Sequence, residues 1–184
     1  FPTRRSSDLK GLSVTVSAST FVPKPFTALQ WCGQDNIEVI KEKQEFLKTH
    51  LTNRAVRFNW HDPETSVIEA VLAKGDRRMA KSIYRAWELG QKFDSWGEFF
   101  SYENWLQAFQ DTGIDYKYYA ERQIGLEETL PWEHIDILVT KKFLEKEYQN
   151  AMDAKVTPNC RQKCAGCGAL SAGCGVCFEG VVEK

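Results

Sequence analysis

The sequence predicts an α/β chain: a strand–helix–strand unit, then a mainly α-helical stretch, then a cysteine-rich tail. Three observations predict it. Residues 12–19 alternate strictly between apolar and small polar side chains. From His61 onward apolar residues recur at helical spacing between capping residues. Five of the six cysteines lie at or beyond position 160.

Taken in order, Leu12, Val14, Val16 and Ala18 share one strand face, and Ser13, Thr15, Ser17 and Ser19 share the other. A period of two fits an exposed edge strand, or a strand that lines a polar, ligand-filled barrel. Phe21–Phe26 carries Pro23 and Pro25 and is expected to be an extended loop, since proline excludes helix and central strand. Asp35 and Glu38 suggest a capping box for a helix reaching about Thr52, with Ile37, Ile40, Leu47 and Leu51 as its apolar stripe and Gln44 interrupting it. Residues 55–60 read as a second strand. A helix between two strands implies that they run parallel.

Asp62 and Pro63 supply a cap and a first helical position for a helix carrying Val67, Ile68, Val71 and Leu72. Gly75 is expected to end it and Asp76 to cap the next, which carries Ile83, Ala86 and Trp87. Ser101 opens a further helix closed by Gly113. A short helix over 116–122, a strand or extended lead-in over 135–139, and a helix capped by Thr140 and broken at Thr157-Pro158 complete the pattern. The six tryptophans sit beside Leu, Ile or Phe and are expected in the core before they are expected as a stacking platform.

Composition narrows the function classes. Apolar residues make up 42% and charged residues 27%, as in an ordinary globular chain. A net charge of −1 gives no global attraction to nucleic acid or anionic membrane. No apolar run approaches the roughly 20 residues that cross a bilayer, and no secretory signal is present, so a cytoplasmic setting without membrane contact is expected. Residues 1–9 match the in-frame translation of a sequencing-library adapter and are set aside as a scar. The natural chain is therefore expected to begin within a domain and to continue upstream.

The tail carries the strongest chemical signal. Cys160, Cys164, Cys167, Cys174 and Cys177 include two CxxC pairs separated by Gly168–Gly173. A CxxC turn brings two sulfurs onto one ion, and its glycines allow the positive φ that such turns need. Thiolates suit zinc or an iron–sulfur cluster, and Arg161 and Lys163 would offset the charge of a four-thiolate site. Redox-active or unliganded thiols are the alternative. Other candidates are weaker. His50, His61 and His134 form no paired ligand motif; His61, at a strand end, reads either as ligand-facing or as part of a capped turn. Asp76-Arg77-Arg78 reads as an anion site or as a cap followed by a solvated basic turn. No phosphate loop, nucleophile elbow or dinucleotide fingerprint occurs.

Several segments, in fixed order, carry a resemblance. The run Ser17-Ala18-Ser19-Thr20-Phe21-Val22-Pro23-Lys24-Pro25-Phe26-Thr27, continued through Gln30-Trp31, resembles the sixth-strand exit of radical S-adenosylmethionine (SAM) barrels of the methylthiotransferase-like superfamily. Phe58–Pro63, Glu69–Arg78, Ile83–Trp87, Phe93–Trp96 and Leu130–Asp136, with the cysteine tail, resemble the C-terminal extension of its cobalamin-binding members. The likeness covers residues 11–177.

The resemblance implies that residues 10–60 are the C-terminal end of a radical SAM (β/α) barrel. Residues 61–157 would then be a helical extension and residues 158–184 a metal-binding tail. It implies an enzyme that cleaves SAM reductively at a 4Fe-4S cluster, with cobalamin as a further cofactor. The partner would be the upstream part of the same polypeptide, and the substrate, a small molecule or RNA, stays open. Ser17, Ser19 and Thr20 would lie at the SAM end of the barrel. Cys160, Cys164 and Cys167 have the Cx3Cx2C spacing of the family's cluster loop, but that loop follows the first barrel strand, and residues 168–184 are too few to form a barrel. The tail is therefore expected to hold an accessory cluster or structural zinc, and this chain to be inactive alone. Its separated CxxC units depart from the compact tail of the family. A non-enzymatic zinc-binding or RNA-associated module is the alternative, and a thiol redox protein a second one.

Overall fold

The computed structural model describes residues 13–173. The adapter-like residues 1–9, Leu12, Cys174 and Cys177 lie outside the described residues. Two strands, β1 (Val14–Ala18) and β2 (Val56–Trp60), form a parallel pair in which Val14 faces Val56 and Ala18 faces Trp60. Helix α1 (Ile37–His50) joins them. Five helices follow: α2 (Pro63–Lys74), α3 (Met79–Glu88), α4 (Tyr102–Thr112), α5 (Tyr116–Ala120) and α6 (Lys141–Met152). The chain is thus mixed α/β, with six helices and two parallel strands among the described residues. A 3-10 turn at Ala169–Ala172 lies in the tail. None of the described helices is long and apolar enough to cross a membrane.

The helix starts follow their capping residues. Asp62 Oδ2 accepts from Thr65 N at 2.7 Å, with Pro63 in the first turn. Ser101 Oγ accepts from Asn104 N, and Thr140 Oγ1 from Phe143 N, both at 3.2 Å. Gly113 closes α4 at φ 67°, a backbone conformation that favours glycine.

Several boundaries differ from the sequence reading. The capping box at Asp35 and Glu38 gives way to Asn36, whose Oδ1 accepts from Val39 N at 2.9 Å, while Asp35 pairs with Lys43. Asp76 does not cap α3. Its carboxylate takes the backbone N–H and the guanidinium of Arg78, and the helix starts behind that fork. Residues 135–139 are a lead-in to α6 made of bends and unassigned backbone, and not a strand.

The core has two parts. Val67, Val71, Met79, Ala86, Trp105 and Phe109 lie between α2, α3 and α4, with Tyr119 and Ala120 of α5 closing the cluster. Trp31, Ile124, Leu130, Trp132, Leu144 and Tyr148 form the second cluster under α6. The proline-containing loop before α1 joins them. Trp31 is fully buried, and its C=O accepts from Ile124 N at 2.8 Å. Gln34 N donates to Ala120 O, and its Nε2 donates to Ser66 O and Phe21 O. Gln30 is buried, and its Oε1 accepts from Trp132 Nε1 at 2.8 Å and from Phe26 N at 3.0 Å. Trp31, Trp105 and Trp132 are core residues as expected, whereas Trp60, Trp87 and Trp96 are roughly half exposed.

Candidate functional site

The strand pair carries the alternation read in the sequence. Val16, Ala18, Val56 and Phe58 are partly covered, while Thr15, Ser17, Arg57 and Asn59 are exposed. In the parallel register Thr15 pairs with Arg57 and Ser17 with Asn59, so hydroxyls, a guanidinium and an amide occupy one face. On the other face Phe58 and Trp60 stack at 5.4 Å, and Lys48 of α1 lies 4.2 Å from the Trp60 ring centre. Helix α1 thus reaches the apolar face, and the polar face is open.

At the C-terminal end of β1 a cavity of about 220 Å³ lies against α1, lined by Ala18, Ser19, Thr20, Gln44 and Leu47 among others. Two of the candidate residues, Ser19 and Thr20, meet there; Ser17 stays outside, on the open strand face. The buried Thr20 Oγ1 has no hydrogen-bond partner among the described residues. Asp35 and Lys43 form an ion pair on the wall. The volume is below the roughly 300–1,000 Å³ of pockets that enclose a drug-sized ligand, so Ser19 and Thr20 form one wall for such a molecule and not a complete site.

His61 lies one residue beyond β2. Its N–H donates to Ala18 O at 3.1 Å and its C=O accepts from Gln44 Nε2 at 2.8 Å. Its Nδ1 is 2.8 Å from Ser66 Oγ on α2. His61 thus belongs to the capped turn that opens α2, and the residue is exposed.

A second polar centre was not foreseen. Lys74 is 3% exposed, and its Nζ donates to Cys32 O at 2.7 Å and to Arg122 O at 2.9 Å. Burial, and secondarily the Arg122 charge, lower its pKa to about 8. Burial raises the Cys32 thiol, and the Lys74 charge acts against that shift. The position was readable: Lys74 follows Val67 and Val71 at helical spacing, on the buried stripe of α2. Lys74 ties together two carbonyls of the core and is a structural group. Asp76 and Arg78 likewise satisfy each other, with Tyr119 OH donating to Asp76 Oδ2 at 3.1 Å. The Asp76 carboxyl is held below its ordinary range mainly by the Arg78 side-chain hydrogen bond.

The tail docks on the start of α6. Thr140 N donates to Cys167 O at 2.9 Å. Gly166, Gly168 and Gly173 adopt φ 79°, 104° and 72°, the bends expected of glycines in this tail. Cys160 and Cys164 are exposed and Cys167 is half-buried. No three Cys, His, Asp or Glu side chains converge on a metal position among the described residues. The thiol chemistry suits zinc or iron–sulfur, but the three described cysteines do not form a preassembled site, and no catalytic step is derived through a cluster.

Comparison with protein-family models, with curated proteins and with solved structures finds no match for this chain.

Proposed function

We propose that this chain is the C-terminal part of a radical SAM iron–sulfur enzyme. In this reading β1, α1 and β2 complete a (β/α) barrel begun upstream in the same polypeptide. The helices from α2 onward brace it from outside, and the cysteine tail holds an accessory cluster or a structural zinc. SAM would be cleaved reductively by the whole enzyme, at a cluster loop supplied by the upstream part. Cobalamin enters only through the sequence resemblance.

The observation that carries the reading is the parallel strand pair, apolar toward α1 and polar on its open face. Ser19 and Thr20 line a cavity at its C-terminal end. Barrels of this class bind ligands at the C-terminal ends of their strands and cover the outer face with helices. For the tail, the support is its donor set and glycine-rich turns; binding an ion would gather sulfurs that are dispersed without it.

Anaerobic purification of the chain, with metal and acid-labile sulfide analysis, tests the tail. Bound iron and sulfide, lost in Cys164→Ser and Cys167→Ser, are expected. Zinc without sulfide would make the tail a structural zinc site and favour the binding-module alternative. A metal-free tail would remove metal binding from the proposal.

A further inference from the structure

Hydrogen bonds fix the chemistry of one imidazole at the end of β2. The backbone of His61 is held from two sides, by Ala18 O of β1 and by the Gln44 side chain of α1. Gln44 also lines the cavity at the strand end. The imidazole itself turns to α2, where Nδ1 lies 2.8 Å from Ser66 Oγ.

Ser66 is fully buried, and its Oγ lies 2.7 Å from Asp62 O. A carbonyl oxygen only accepts, and a hydroxyl has one proton to give. Ser66 therefore gives its proton to Asp62 O and toward His61 can only accept. It follows that Nδ1 carries the proton of the neutral ring and that Nε2 is left as a lone-pair acceptor. No protein group is bonded to Nε2 among the described residues, and His61 is exposed.

We propose that His61, beside the strand-end cavity and outside its lining, presents an accessible Nε2 as a hydrogen-bond acceptor when its ring is neutral, and that Ser66 is its positioning residue. The matching ligand chemistry is a small molecule with an N–H or O–H to donate, such as an ammonium, amide or hydroxyl group. That a ligand binds at this end of the strands rests on the proposed function; the tautomer of His61 does not.

The chain has three histidines, so each ring can be assigned in a long-range ¹H–¹⁵N spectrum of the full chain labelled at histidine. At a pH where the ring is neutral, His61 is expected to show protonated Nδ1 and unprotonated Nε2. Ser66→Ala should shift the tautomer ratio toward Nε2–H about fivefold, the factor that one net hydrogen bond is worth. Ser66→Thr, which keeps the hydroxyl, should retain the wild-type ratio. Acylation at Nε2 by diethyl pyrocarbonate, mapped by mass spectrometry, should be faster at His61 in the wild type than in Ser66→Ala, but by less than about fivefold, because the rate follows the fraction of rings with a free Nε2 and not the tautomer ratio. A wild-type His61 protonated at Nε2 would overturn the proposal even if the Ser66 variants do not fold. An unchanged tautomer ratio in folded Ser66→Ala would overturn the role of Ser66. Failure of the radical SAM reading would change none of these outcomes.

Discussion

The helical body and the strand pair are built to opposite standards of closure. Around Trp31 and Lys74, most buried polar groups meet partners over long sequence distances: Gln30 with Trp132, Gln34 with Ser66, Lys74 with Cys32 and Arg122, while Trp31 Nε1, Gln34 Oε1 and Arg122 Nε have none among the described residues. Along β1 and β2, no strand residue is fully buried, and Val14 and Trp60 are 40% and 45% exposed. A region that satisfies its groups internally specifies its own structure. A two-stranded parallel pair with open edges is marginal by itself and presents unpaired backbone groups to any partner strand. The difference separates a well-packed helical body from a strand pair whose residues are exposed or only partly covered.

The largest effect is expected where the closed body is broken. Trp31→Ala should cost about 4 kcal/mol, as for other large-to-small changes at fully buried aromatics, read from the urea midpoint. Gly33→Ala should follow at about 3 kcal/mol, because an added Cβ would lie 2.0 Å from Glu121 O, a backbone atom with little room to move. Lys74→Met should cost about 2 kcal/mol by leaving the carbonyls of Cys32 and Arg122 unsatisfied.

The Lys74 site also predicts a pH dependence. Its pKa falls from the ordinary 10.5 to about 8 on folding, so the unfolded chain binds the extra proton between those values. This group's contribution to stability should therefore rise as pH increases from about 8 to 10.5. Urea titrations across that window should show a rise that is absent in Lys74→Met.

The smallest effect on folding is expected on the strand pair. Thr15→Lys lies on the open face and should change stability by no more than about 0.5 kcal/mol. It should nevertheless reduce self-association of the chain in sedimentation velocity, because a lysine discourages edge-to-edge pairing. A large loss of stability would show that the pair belongs to the closed body after all.

What could be read from the sequence follows from the range of the interactions. Period-two alternation and local caps are short-range signals, so both strands, their parallel order and the starts at Pro63, Tyr102 and Lys141 were legible. The cap at Asn36 was missed because two neighbouring residues, Asp35 and Asn36, offer suitable side chains and only the backbone selects between them. Of the apolar residues read on α3, Ala86 is buried with Met79 and Ser82, whereas Ile83 and Trp87 are exposed. That helix has two apolar faces, and periodicity alone does not choose between them. Lys74 lies on the helical stripe of Val67 and Val71, but its carbonyl partners, like the Trp132 partner of Gln30, are distant in sequence, a relation no local pattern carries. The bond from His61 to Ser66 spans five residues, but its meaning depends on a second bond, to Asp62 O. The cysteine spacing was legible as donor chemistry. Among the described residues those sulfurs do not converge.

The most direct test of the proposed function is reductive cleavage of SAM under anaerobic conditions by the protein extended to its upstream coding sequence. The extended protein is expected to carry a Cx3Cx2C loop ahead of residue 10 and to release 5′-deoxyadenosine, while the present chain alone releases none. An in-frame stop directly upstream, or an extended protein that leaves SAM intact, would contradict the assignment.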